Sequence, residues 1–157
     1  MLYQTNLQFK EELKSRAAGS TKYIILHHSE VVTPHTVDEV HRWHLNKGWA
    51  GIGYHYFVSK VGDIYEGRPL NTMGAHAYGY NDNSVGICFE GDFNQEEMGE
   101  TQLEAGILLL RQLKLIFPDA TIIRHGQLVK RKSCPGRLFP YETMIDQVDG
   151  QNATNYD

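Results

Sequence analysis

Two imidazoles and a thiol stand where strand ends and a loop can bring them to one point. His27 closes the apolar run Tyr23-Ile24-Ile25-Leu26, His125 follows a second short apolar run, and Cys134 lies in the loop segment Lys132-Ser133-Cys134-Pro135-Gly136. Two neutral imidazole nitrogens and a thiolate suit zinc, and three protein ligands leave the fourth tetrahedral position to water. That arrangement serves hydrolysis rather than the holding of a fold. The residues alone do not single out this set, because eight histidines allow many triplets. His41 and His44 lie three apart on a predicted helix and can share an ion, although no glutamate completes a zincin pattern around them. His28 adjoins His27, but neighbours on a strand face opposite ways, so only one of the two can reach a given site.

The elements that must position these groups read as follows. Lys22 to His28 is a strand. Thr36 with Glu39 three residues later is a capping box that opens a helix, which Gly48 stops. Tyr54 to Ser59 and Ile64 to Glu66 flank a Gly62-Asp63 turn, the pattern of a hairpin. Arg68 to Asn83 is mostly loop, and Ser84 to Glu90 is a central strand. A second capping box, Thr101 with Glu104, opens the longest helix, which Pro118 ends; its run Ile107-Leu108-Leu109-Leu110 predicts deep burial. Thr121 to Arg124 is a short strand and Tyr141 to Val148 a last helix. Residues 1–20 read as an adapter, with a short helix around Phe9 and Leu13, and residues 149–157 as a tail. Strands interleaved with helices predict a single α/β domain with a central mixed sheet of about five or six strands flanked by helices.

Composition bounds the partners. The chain has 157 residues, 41% of them hydrophobic, enough for one sizeable core. A net charge of -4 gives no footprint for nucleic acid, and the only basic cluster, Lys130-Arg131-Lys132, is short and lies between two candidate ligands. The first ten residues carry no apolar signal core, and no stretch approaches the roughly 20 apolar residues of a membrane helix. The expectation is a monomer made in the cytoplasm without a signal peptide, with no nucleic-acid or membrane partner. Cys88 and Cys134 are expected to stay reduced, Cys88 as a small buried side chain.

Several segments, taken in order, resemble the N-acetylmuramoyl-L-alanine amidase type 2 family, which includes phage lysozyme-like endolysins and peptidoglycan recognition proteins. They are Ile25-Leu26-His27-His28-Ser29, Trp49 with Gly53-Tyr54-His55-Tyr56, Gly74-Ala75-His76-Ala77, Asn83-Ser84-Val85-Gly86-Ile87, and His125 with Lys132-Ser133-Cys134-Pro135-Gly136. The resemblance covers residues 21 to 148. It implies a zinc amidase domain over that span, with His27, His125 and Cys134 as ligands of one Zn2+ ion. It also implies Tyr54 and Lys132 as catalytic groups. His76, in a Gly-rich loop, reads either as a histidine bonded to backbone or as a groove residue touching a peptidoglycan substrate, and Trp49, after the helix stop, either as a wall of the glycan groove or as core. The stretch between His125 and Cys134 is one residue longer than the family pattern. Where some relatives carry a catalytic glutamate, this chain has Gly86, which leaves Glu90 as a rim or structural carboxylate. Trp43 is expected in the core.

The reaction so implied is hydrolysis of the amide between N-acetylmuramic acid and L-alanine, in a phage or prophage endolysin that acts on the cell wall after release. Two rivals are a peptidoglycan-binding module without hydrolysis, and a phage amidase that also restrains an RNA polymerase through the N-terminal segment.

Overall fold

The computed structural model describes residues 1–130 and 132–154. Its centre is a six-stranded mixed sheet in the order β1 (Leu2–Tyr3), β4 (Ile64–Glu66), β3 (Tyr56–Val58), β5 (Ser84–Phe89), β2 (Tyr23–His28) and β6 (Thr121–Arg124). β2 runs parallel to both β5 and β6, β3 parallel to β5, and β1 parallel to β4; the β3–β4 hairpin is antiparallel. Four α-helices accompany the sheet among the described residues: α1 (Val37–Asn46), α2 (Glu100–Ile116), α3 (His125–Leu128) and α4 (Tyr141–Thr154). This is the expected α/β architecture.

Alternation along the strands sorts side chains to two faces. Ile24 and Leu26 of β2, with Val85, Ile87 and Phe89 of β5, join Leu110 and Leu113 of α2 and Met144 of α4 in the main core. The other face packs Cys88 and Phe57 against Val37 and Val40 of α1. His27 lies on this second face, in register with Cys88. His28 points the other way, and its Nδ1 accepts the Phe93 N–H at 3.1 Å.

Local signals explain most boundaries. Thr36 caps α1, and the capping box with Glu39 is formed. Gly48 follows the helix end with φ +88°, a conformation that costs glycine little. Glu90 is buried and accepts the N–H groups of His35 and Lys60 at 2.9 and 2.8 Å, which makes it a structural tie.

Four expectations need correction. No helix forms around Phe9 and Leu13. Thr5, Leu7 and Phe9 are half-buried while their neighbours are exposed, the period of an extended chain. The segment is tacked along the domain by Lys10 N–H to Ala50 O and Met73 N–H to Lys14 O. Second, the capping box of Thr101 with Glu104 is not made. α2 starts two residues earlier, with Gly99 rather than Thr101 as its cap, and the Thr101 methyl faces the Gly62 turn. Third, α2 is open on one side, with Leu108, Leu115 and Ile116 exposed. Fourth, α4 continues past Val148 to Thr154. Residues 155–157 of the expected tail, and Arg131 of the basic cluster, lie outside the described residues.

A buried imidazole ties the sheet to the loop that follows the hairpin. His55 Nδ1 accepts the Gly86 N–H at 3.0 Å, and its Nε2 pairs with Thr72 O at 2.9 Å. Burial depresses its pKa from 6.5 to about 4. Between those values the unfolded chain binds the extra proton, so stability present above pH 6.5 is lost as pH falls towards 4. The loss from His55 is on the order of 3 kcal/mol. Urea unfolding at pH 4.5 is expected to show a midpoint clearly below that at pH 7, with part of the gap removed in His55→Gln. Coincident wild-type midpoints would contradict this account.

Candidate metal centre and cleft

Register brings the two histidines together. Leu26 of β2 pairs with Arg124, the last residue of β6, so the residues that follow them, His27 of β2 and His125 at the start of α3, emerge side by side. Their ring centroids are 4.5 Å apart. The chain then turns through α3 and comes back. Gly126 N–H donates to Cys134 O at 2.9 Å, which closes the loop and sets the thiol against β2. Cys134 Sγ lies 3.7 Å from His27 Nδ1 and receives the His28 backbone N–H at 3.4 Å.

Donor atoms of His27, His125 and Cys134 all lie within 4.8 Å of one another. Zinc bonds of about 2.0–2.1 Å to nitrogen and 2.3 Å to sulfur put two such donors about 3.6 Å apart across a tetrahedral angle. The His27–Cys134 spacing of 3.7 Å matches that edge. The donor types and the spacing therefore fit a zinc ion.

Electrostatics of the three groups follow from burial. His27 is held well below the usual histidine range, first by burial and then by the neighbouring His76 and His125. His125 is lowered by burial and by the Lys132 ammonium. Both rings are thus neutral and have a lone pair to offer. Burial pushes the Cys134 thiol up to about 12, against the pull of the His28 N–H and of Lys132.

The site opens into a cleft of about 760 Å³, lined among others by Tyr54, His76, Trp49, Trp43 and Lys132. The Tyr54 ring is 5.1 Å from that of His27. Burial, with Cys88 and Cys134 nearby, raises its pKa well above the ordinary value, so its hydroxyl keeps a proton to donate. Lys132 is exposed on the ligand loop. Trp49 is 38% exposed and packs edge-on to His44, with the Lys47 ammonium 5.3 Å from its ring. Trp43, expected in the core, is half-buried between the second core and the cleft.

His76 is buried, and both of its ring nitrogens meet protein: Nδ1 is 2.9 Å from His27 Nε2, and Nε2 is 3.2 Å from Ser84 Oγ. It is thus a neighbour of the first histidine as well as a wall of the cleft. The rival pair His41 and His44 is spent on the backbone, each Nδ1 accepting one N–H, from Ile52 and Gly53 respectively, at 2.9 Å.

Sequence reasoning missed Glu30, Asn81 and Ser84. Glu30 stands at the cleft rim with φ +66°, which nothing in its residue type announces. Asn81 Oδ1 accepts the N–H groups of His76 and Ala77 at 2.9 and 3.0 Å. Its place after Gly79, in a run of turn formers, was a signal that such a side chain folds back on the backbone.

Known proteins resemble this chain in sequence and fold. The family model described as N-acetylmuramoyl-L-alanine amidase matches residues 17–137. The endolysin of Klebsiella phage KP32 is 34% identical over 104 residues, which cover 63% of this chain and 68% of the endolysin. Peptidoglycan-recognition protein LB of Drosophila melanogaster is 35% identical over 155 residues, covering 87% of this chain and 66% of that protein. The solved structure of the N-acetylmuramoyl-L-alanine amidase LysC from Clostridium intestinale URNW superposes with a TM-score of 0.87. It is 32% identical and covers 95% of this chain and 97% of its own.

Proposed function

The chain belongs to the N-acetylmuramoyl-L-alanine amidase family, and from that premise we propose that it is a zinc-dependent amidase. Its substrate on this reading is the amide between the lactyl group of N-acetylmuramic acid and the L-alanine of the stem peptide. The observation that carries the proposal is the meeting of His27, His125 and Cys134 at one point of an open cleft. Family membership and the endolysin and amidase relatives support peptidoglycan as the substrate. The cell wall is the proposed place of action, reached after release from the cell that makes the protein. No helix of the described residues is long and apolar enough to cross a membrane.

His27, His125 and Cys134 would hold one Zn2+ ion. Bound zinc supplies a Lewis acid and brings the pKa of water down to about 7. This chain's own residues supply the rest. His27 and His125 stay neutral and keep their lone pairs available. Lys132 and the His28 N–H favour the thiolate of Cys134 over the thiol. Attack on an amide carbonyl builds negative charge on its oxygen, and donors fixed beforehand lower that barrier. The protonated Tyr54 hydroxyl and the Lys132 ammonium, both on the cleft, are the groups we assign to it. Trp49 offers an apolar wall on which a sugar or peptide can rest, and Lys47 beside it adds a positive charge.

Three outcomes test this reading. Because the Cys134 thiol is protonated in the free protein, titration with zinc is expected to bind one ion per chain and to release a proton. Cys134→Ala should abolish that release, and zinc binding without proton release would contradict the ligand set. Tyr54→Phe keeps the ring and removes the donor. It is expected to lower the rate about 10²- to 10³-fold with folding intact, as for the loss of one oxyanion donor. Purified cell walls should lose turbidity and gain free L-alanine N-termini, and chelation should stop both until zinc is restored. Wall binding without any new N-termini would make the protein a recognition module instead.

A further inference from the structure

We propose that His76 is a positioning residue that acts through His27: a one-way hydrogen-bond relay, Tyr80–Ser84–His76–His27, fixes the tautomer that leaves His27 Nδ1 bare and facing Cys134. The proposal rests on the zinc reading above, and it concerns a histidine expected either to bond backbone or to touch substrate.

The direction of the relay follows from its far end. Ser84 Oγ lies 2.6 Å from Tyr80 O. A carbonyl oxygen only accepts, so the serine proton points at Tyr80, and the hydroxyl turns its lone pairs elsewhere. The next atom is His76 Nε2, 3.2 Å from Oγ, which must then donate. A neutral imidazole carries one N–H and one bare nitrogen. With Nε2 protonated, His76 Nδ1 is bare and accepts from His27 Nε2 at 2.9 Å. His27 in turn has its proton on Nε2 and its lone pair on Nδ1. That bare nitrogen is the one 3.7 Å from Cys134 Sγ. Each ring's tautomer is set by its neighbour, and the last one aims a lone pair where the ion would sit. An outer partner of this kind orients a metal-binding imidazole and raises its basicity.

The seat of the His76 ring is built to hold it. Asn81 Oδ1 takes the backbone N–H groups on either side of its Cα–C bond, those of His76 and Ala77. Beneath the ring lies Gly86 of β5, where an added Cβ would fall 2.6 Å from His76 Cγ and Cδ2. Gly74 approaches the same ring closely. The strand is bare at the one point where the imidazole must cross it, and Ser84 stands two residues earlier on the same face.

The test compares His76→Ala, His76→Asn and Ser84→Ala with wild type. It uses two readouts: zinc affinity by competition with a chromogenic chelator, and the ring ¹⁵N shifts of His27 in metal-free protein. Wild-type His27 is expected in the Nε2–H form. His76→Ala should weaken zinc about 10- to 100-fold and let His27 populate both tautomers. His76→Asn restores an acceptor near the Nδ1 position and should recover most of the affinity, which a purely space-filling role would not produce. Ser84→Ala should shift both readouts in the direction of His76→Ala, by less. Circular dichroism identifies any variant that fails to fold, and if His76→Ala does, the Asn and Ser84 variants decide the matter. Zinc affinities within about threefold of wild type for the Ala variants that fold, with His27 still wholly in the Nε2–H form, would overturn the proposal. A wild-type protein that binds no zinc at His27 would instead sink the zinc reading, and the metal-free ¹⁵N shifts would still decide the relay.

Discussion

The site depends on one register. β2 and β6 are parallel neighbours, and with Leu26 opposite Arg124 the two strands deliver His27 and His125 side by side. A slip of one residue would turn His27 to the main core and His28 to the cleft, because alternate residues of a strand face opposite sides. Apolar burial resists that slip. Ile24 and Leu26 are fully buried against α2 and α4, and either would have to leave that core for the polar face. The hydrophobic pattern of β2 therefore does two tasks. It fills the core, and by doing so it chooses which histidine meets Cys134.

The second constraint is polar. The cleft face is flanked by irregular backbone at 47–55 and 67–83, and there, as at Gly86 of β5, buried N–H groups lack a strand partner and need acceptors. Histidines supply them. His41, His44 and His55 each accept a backbone N–H through Nδ1, from Ile52, Gly53 and Gly86. A neutral imidazole is well suited, since its second nitrogen can donate elsewhere, as His55 pairs with Thr72 O and His41 with Gln8 O. The abundance of histidine in this chain is thus mostly structural. Only His27 and His125 meet at the cysteine, and His76 joins the two populations.

Much of this was legible in the chain. Alternation and flanking turn residues located β2, β5, β6 and the hairpin, and Thr36 with Glu39 marked the start of α1. The same rule failed at Thr101 because that side chain is wanted at the Gly62 turn, a tertiary contact no local pattern encodes. The N-terminal segment misled for a related reason. Phe9 and Leu13 have helical spacing, yet the burial of Thr5, Leu7 and Phe9 has period two, and tertiary contacts set it: Thr5 bonds Glu66 O of β4, and Leu7 and Phe9 pack on the core beside α1. At the site, the types and order of His27, His125 and Cys134 were readable through the family pattern. The partnership of His76 with Ser84 and the bare floor at Gly86 were not, because hydrogen-bond direction appears only once three distant segments stack.

The central claim is that two nitrogens and one sulfur of this chain hold an ion that keeps an open position. X-ray absorption at the zinc edge of the loaded protein tests it most directly. The account predicts one sulfur at about 2.3 Å, two imidazole nitrogens near 2.0–2.1 Å, and one further light scatterer that a small anion can replace. A spectrum without sulfur, or one with four protein donors and no exchangeable ligand, would contradict it.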